Sequence, residues 1–220
     1  MAALTKLRVL SRFRTDERGS IPIEGLLGAL MLLTWYAVAF QFYDAFRMRA
    51  VATRASYTVA DMLSREKLNV GPTYVGGMQK VFDFITNATI NRQTWIRVTM
   101  FHCPATETDK RPCDGETKDF AVDRDGSGNE VSYATLSDIS THTDASLKLE
   151  GYRIPKMAAG DTAVLLESSY WYNPVLGIGT KELAVDGKNF TRNGFAYSVR
   201  FSNFVVTRPR GPKVVWDPTK

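Results

Sequence analysis

Two cysteines and two histidines in 220 residues are too few for a disulfide-dense scaffold, and they leave a zinc site only by using all four. Glycine at 16 residues and proline at 9 stand near average usage, which excludes collagen-like and low-complexity chains. The sequence has no phosphate-cradling glycine loop, no His-x3-His pair and no nucleophile-elbow context around Ser168 and Ser169, so it is not expected to be an enzyme. The formal net charge of +5 is dispersed rather than gathered into a basic face, and no nucleic-acid partner is expected. Arg208, Arg210 and Lys213 near the C-terminal end read as a loose, solvated tail.

Charge is wholly missing from Gly25 to Phe42, GLLGALMLLTWYAVAFQF, where Thr34 and Gln41 are the only clearly polar side chains. As a helix these residues span roughly 27 Å, close to the thickness of a bilayer core. Leu26, Leu27, Leu30, Met31, Leu32 and Leu33 cover every face of that helix, so the segment is expected to cross a membrane rather than to line one side of a soluble core. Ahead of it, Lys6, Arg8, Arg12, Arg14 and Arg18 outnumber Asp16 and Glu17, which favours a cytoplasmic N-terminus. Arg47, Arg49 and Arg54 follow the run closely and oppose that bias. The apolar run is too long for the core of a secretory signal, and no small-x-small cleavage site follows it.

The leader stops at Gly19-Ser20-Ile21-Pro22-Ile23-Glu24, which carries an acid into the edge of the span. A carboxylate there costs several kcal/mol at the bilayer centre, less at its boundary, and calls for a cation. Cleavage after Gly19 would give Ser20 a free α-amino group, and Ser20 and Glu24 are four apart, on one helix face. An amine about 4 Å from the carboxylate gains roughly 4 kcal/mol at an effective dielectric near 20. The amine is the chain's own or a neighbour's; in the latter case the pair fixes the axial register of packed helices. The alternative is a Glu24 solvated in the headgroup layer.

This leader, the Gly-x4-Glu step and the apolar helix resemble the prepilins processed by a dedicated peptidase, and DERGSIPIE is most similar to the Tad/Flp (tight adherence) minor pilins of the TadE type. The resemblance covers about residues 12–65. It implies cleavage between Gly19 and Ser20 and a role for Glu24 in processing or assembly. It also implies a bacterial inner-membrane protein with its head in the periplasm, reaching an extracellular pilus in some cases. The implied partners are the prepilin peptidase, major and other minor pilins, and the pilus assembly platform. The alternatives are a permanently membrane-tethered binding protein or adhesin and, less favoured, a membrane-anchored hydrolase.

Beyond Phe42, Met48, Val51, Ala52, Ala55, Val59, Met62 and Leu63 recur at three- and four-residue steps, which predicts an amphipathic stalk ending at Gly71-Pro72. A second helix is expected over Tyr74–Asn87. From Trp95 the period changes to two, with Ile96, Val98 and Met100 opposed to Trp95, Arg97, Thr99 and Phe101, as in a half-buried strand. Further strands are expected at Val131–Leu136, Thr162–Tyr172, Glu182–Val185 and Ala196–Val206, with a turn at Asp186-Gly187. The fold expected is α+β, a long helix packed on a C-terminal antiparallel sheet in pilin-like fashion. The segments are leader 1–19, transmembrane helix 20–46, helical stalk 47–91 and β-rich head 92–220. Cys103 and Cys113, which enclose nine residues on what should be the oxidising side, are expected to form a disulfide. No cofactor is expected apart from calcium: Asp123, Asp125, Ser127 and Glu130 reproduce the opening of a calcium loop but Ala134 stands where an EF-hand needs glutamate, so the segment is either a weak calcium site or a solvated acidic turn.

Overall fold

The computed structural model describes residues 20–88, 93–174, 180–185, 188–193, 199–211 and 213–220. The leader with Gly19, the expected turn at Asp186-Gly187 and the start of the last expected strand lie outside the described residues, as do the side chains of Ser20, Ile21 and 175–198. The chain is α+β and divides into two compact units, Met1–Asp44 and Ala45–Lys220.

Helix α1 runs without a break over Ser20–Arg65. It ends six residues before the expected breaker because Glu66 turns its carboxylate back onto the chain and accepts the amides of Lys67 at 2.9 Å and Leu68 at 3.0 Å. Those two bonds hold the Glu66 carboxyl below its ordinary value. Burial, followed by the neighbouring Glu66 charge, pushes the Tyr74 phenol up to about 12. Helix α2, Pro72–Thr86, begins with proline in its first turn and ends at Asn87, whose φ of 51° is the left-handed conformation that asparagine tolerates.

The main sheet contains β1 (Thr94–His102), β2 (Ala121–Val122), β3 (Ser132–Ala134), β4 (Thr162–Tyr172) and β7 (Val199–Thr207). Its order is β2-β1-β4-β7, with β3 also paired to β1, and every pairing is antiparallel. Strands β5 (Thr180–Val185) and β6 (Lys188–Asn193) form a separate two-stranded ribbon. Strand β4 has the expected bounds, β3 is shorter than expected, and β2, β6 and the short helix α3 (Asp144–Leu149) were not expected.

In the second unit, the α1 residues Ala52, Ala55, Val59 and Leu63 pack with Val75, Met78 and Phe82 of α2 against Ile96, Val98, Met100, Val164, Leu166 and Tyr170 of the sheet. Each large side chain fully removed from water here contributes about 1.5–3 kcal/mol. Not every apolar position of the stalk is used: Met62 is exposed, while Ser56 and Ser64 are buried. Ser56 meets Ser168 of β4 at 2.6 Å, and Thr53 donates to Asn203 of β7 at 3.1 Å, so two polar rungs fix this helix against the sheet.

Strand β1 differs from the half-buried strand that its alternation suggests. Phe101 is as fully buried as Ile96 and Val98, and Trp95 and Thr99 are buried too. The reason is a second layer: Phe101, Ala163 and Leu165 on the opposite face are covered by Phe120, Val122, Leu147, Ile154, Met157 and the two cysteines. This layer comes from the irregular excursion between β1 and β4. Gly115 serves it with a φ of +77°, and a Cβ at that position would meet the Gly151 backbone at 2.6 Å.

The C-terminal tail is bonded rather than loose. The Val70 amide donates to Val215 and the Asp217 amide to Val70, both at 2.9 Å, while Arg210 holds Asp61 at 2.6 Å and Arg208 holds Asp161 at 2.7 Å. The sequence reading failed here because these partners lie far away along the chain.

Candidate functional site

The described residues of the first unit, from Ser20 to Asp44, all belong to helix α1. Pro22–Arg65 is long and apolar enough to cross a membrane, and the side chains from Ile23 through Leu33, and again at Trp35, Tyr36 and Phe42, are exposed. Exposure of so many large apolar groups on all faces is stable only if lipid or other helices take the place of water. Ser20 opens α1, so Glu24 lies one turn further on and on the same face. Glu24 is exposed. Gly19 lies outside the described residues.

Cys103 and Cys113 form a disulfide with a Cα–Cα distance of 5.6 Å. Both cysteines are fully buried in the second layer, and the backbone of Cys113 pairs with Met157 while that of Cys103 bonds Asp161 and Gly160. The bridge therefore fastens the excursion to the end of β1. Closing so short a loop stabilises the fold by about 3 kcal/mol at most. Replacing both cysteines by serine in the full chain is expected to remove about 2–3 kcal/mol, read as a lower urea midpoint; an unchanged midpoint would mean that the loop packs without its covalent tie.

The acidic loop does not aim its oxygens at one point. Asp123 turns inward, where its Oδ1 meets His102 Nδ1 at 2.5 Å and Lys213 Nζ at 3.1 Å. Asp125 accepts the amides of Ser127 at 2.9 Å and Asn129 at 2.8 Å. Glu130 accepts the Asp144 amide at 3.1 Å and faces Arg124 at 3.7 Å. Thus Asp123, Asp125 and Glu130 each face different partners, and Ser127 enters the turn through its amide. Among the described residues no group of three or more His, Cys, Asp or Glu is gathered so as to hold a metal ion.

Both histidines are paired with carboxylates, an arrangement that the sequence did not announce. His142 Nε2 lies 2.8 Å from Glu167 Oε2, and Arg97 reaches the same oxygen at 2.6 Å. Arg97 and Glu167 are register partners on β1 and β4, while His142 arrives from the loop before α3. His142 Nδ1 meets the Ser146 hydroxyl at 2.9 Å, giving a Ser-His-Glu chain. That hydroxyl is engaged in the capping box of α3, where it accepts the Thr143 amide at 2.8 Å. Burial raises the Glu167 carboxyl, but the His142 hydrogen bond and the Arg97 charge outweigh it and leave it below the ordinary value. Asp123 follows the same pattern: burial raises it, and hydrogen bonds from His102 and Lys213 lower it further than burial lifts it.

Of the serines considered as nucleophiles, Ser168 bonds Ser56, and the buried Ser169 Oγ has no hydrogen-bond partner. The second unit is thus held together by a disulfide and buried ion pairs, while the first unit carries exposed large apolar side chains. Comparison with protein-family models, curated proteins and solved structures returned no match.

Proposed function

We propose that the chain is a prepilin-peptidase-processed minor pilin or pseudopilin of a Tad-type pilus, anchored in the bacterial inner membrane with its head on the periplasmic side. The reading is carried by the 46-residue helix α1: its first half is exposed apolar surface and its second half is the helical layer of an antiparallel-sheet head. That division suits a subunit that associates laterally through one half of a helix and displays a head on the other. The buried disulfide suits an oxidising compartment. In this reading the peptidase cuts between Gly19 and Ser20, and Glu24 takes up the new amine of its own chain or of a neighbouring pilin. Major pilin, other minor pilins and the assembly platform are the partners.

The mature N-terminus tests the reading. Mass spectrometry of the protein from native membranes is expected to return a chain starting at Ser20; an intact leader would instead favour a permanently tethered binding protein or adhesin. Glu24→Gln is expected to leave membrane insertion intact and to reduce pili at least about tenfold, the factor that corresponds to 1.4 kcal/mol of a pair worth roughly 4 kcal/mol. Pili counted by electron microscopy at wild-type numbers would remove Glu24 from the mechanism.

A further inference from the structure

Among the described residues, three arginines remain unexplained by the fold. Arg65, Arg97, Arg111, Arg124, Arg153 and Arg210 each hold a carboxylate oxygen within 3.3 Å, and Arg200 donates to Ser202 and lies over Trp95. Arg47, Arg49 and Arg54 are exposed, and among the described residues their guanidinium groups make no ion pair or hydrogen bond. They are consecutive arginines in the sequence, and they follow directly on the exposed apolar run that closes with Phe42, Tyr43 and Phe46. Their position also opposes the charge bias that orients the chain, because basic residues flanking the translocated side work against insertion.

Helix geometry fixes where these groups stand along the axis. At 1.5 Å per residue, Arg47 and Arg49 lie about 6 and 9 Å beyond Tyr43, and the polar layer on each side of a bilayer core is about 5–8 Å thick. Arg54 lies about 16 Å beyond Tyr43, but side chains on a helix lean toward its N-terminus, which here is the direction of the apolar run. Arg47 and Arg54 are two turns apart on one face, and Arg49 projects from another. A guanidinium binds phosphate oxygens bidentately and is more weakly hydrated than an ammonium.

We infer that Arg47, Arg49 and Arg54 form a binding site for the phosphate headgroups of anionic phospholipids in the leaflet on the head side of the membrane. The inference rests on the membrane reading of α1. Three cations without a partner among the described residues, at the level of the lipid phosphates, have their counter-charge in the bilayer itself, which fixes the depth at which the helix leaves it. Anionic lipid attracts each such residue by an amount equal to about a fivefold change in preference.

The test uses the full chain, solubilised in detergent and supplied with equal phosphatidylglycerol and phosphatidylcholine, with bound lipid counted by native mass spectrometry. The wild type is expected to retain phosphatidylglycerol preferentially, and the triple variant Arg47→Gln/Arg49→Gln/Arg54→Gln to lose about fivefold in that preference per arginine. The basic leader is common to both proteins, so the difference reports the three arginines. Arg65→Gln, a paired arginine further along α1, is expected to behave as wild type. An unchanged preference in the triple variant overturns the site, as does displacement of the lipid by equimolar inorganic phosphate. Loss of a dimer in the variant without loss of lipid preference also overturns it, in favour of a second copy. Extraction of the wild type from native membranes by alkaline carbonate would overturn the membrane reading itself, whereas an integral protein without lipid preference overturns this site alone.

Discussion

Glu167→Leu is expected to lower the unfolding free energy of the head by about 3–5 kcal/mol, the largest effect of any single substitution considered. The side chain is 13% exposed and serves two donors, Arg97 and His142; removing it leaves a guanidinium that is itself only 12% exposed without its counter-charge. For a unit of this size the loss corresponds to a fall in Tm of roughly 6–20 °C, measurable by differential scanning calorimetry of the detergent-solubilised chain. Arg97→Leu/Glu167→Leu is expected to recover part of the loss, because replacing both members of a buried pair leaves no uncompensated charge between β1 and β4. A double variant as unstable as the single would show that packing, not charge, dominates there.

The same carboxylate makes the head sensitive to acid in a defined direction. The Glu167 and Asp123 pKa values are lowered in the folded protein, so each binds its proton more readily when unfolded. Their contribution is complete above the ordinary carboxylate values of about 4 and is lost as pH falls through the lowered ones. Urea midpoints between pH 7 and pH 3 are expected to fall in the acid range for the wild type and less steeply for Glu167→Leu. A variant with the wild-type slope would assign the acid response to Asp123 and the surface carboxylates.

Gly71→Ala is expected to be the second most disruptive single substitution in the head. Gly71 sits before the first turn of α2 in extended backbone, so conformational freedom is not its purpose. It is needed because the chain returns: a Cβ there would fall inside the van der Waals envelopes of the Asp217 and Lys220 carbonyl oxygens. These are backbone atoms, held by the Asp217 and Val70 amide bonds that join the tail to residue 70, so they cannot rotate away. Forcing them apart costs about 1–3 kcal/mol or somewhat more and is expected to expose the tail, including Val214, which is now 5% exposed. Hydrogen exchange at Val70 and Asp217 reads this directly; protection equal to the wild type would mean that the tail shifts as a rigid piece.

Several features of this protein follow from local sequence alone. The apolar run from Gly25 to Phe42 dictates a helix long enough for a bilayer because no charged group interrupts it. The three- and four-residue recurrence through Ala52, Ala55, Val59 and Leu63 selects the buried face of its continuation. Strand β4 is legible at both ends because Thr162 to Tyr172 is dense in β-branched, aromatic and apolar residues and is bounded by Asp161 and Asn173. The Cys103–Cys113 bridge is legible because its loop is short and the chain has no other cysteine.

What escaped has one physical origin, the lack of a local signature for long-range contact. The short strand β2 and the second layer over Phe101 follow from a packing decision between segments far apart in the chain. Alternation in β1 predicted one wet face, and only the excursion folding back made both faces dry. Asp123 is buried and pairs with His102 and Lys213, partners from outside its acidic loop that the local sequence does not announce. Glu167, Arg97 and His142 are unremarkable in sequence, separated by 25 to 70 residues; the antiparallel register of β1 on β4 makes the first two neighbours, and the capped turn of α3 delivers the third. Periodicity thus chose helix and strand, and composition a helix long and apolar enough to cross a membrane, while the pairing of charges had to await the fold, because an ion pair depends on distance in space and the chain records only order.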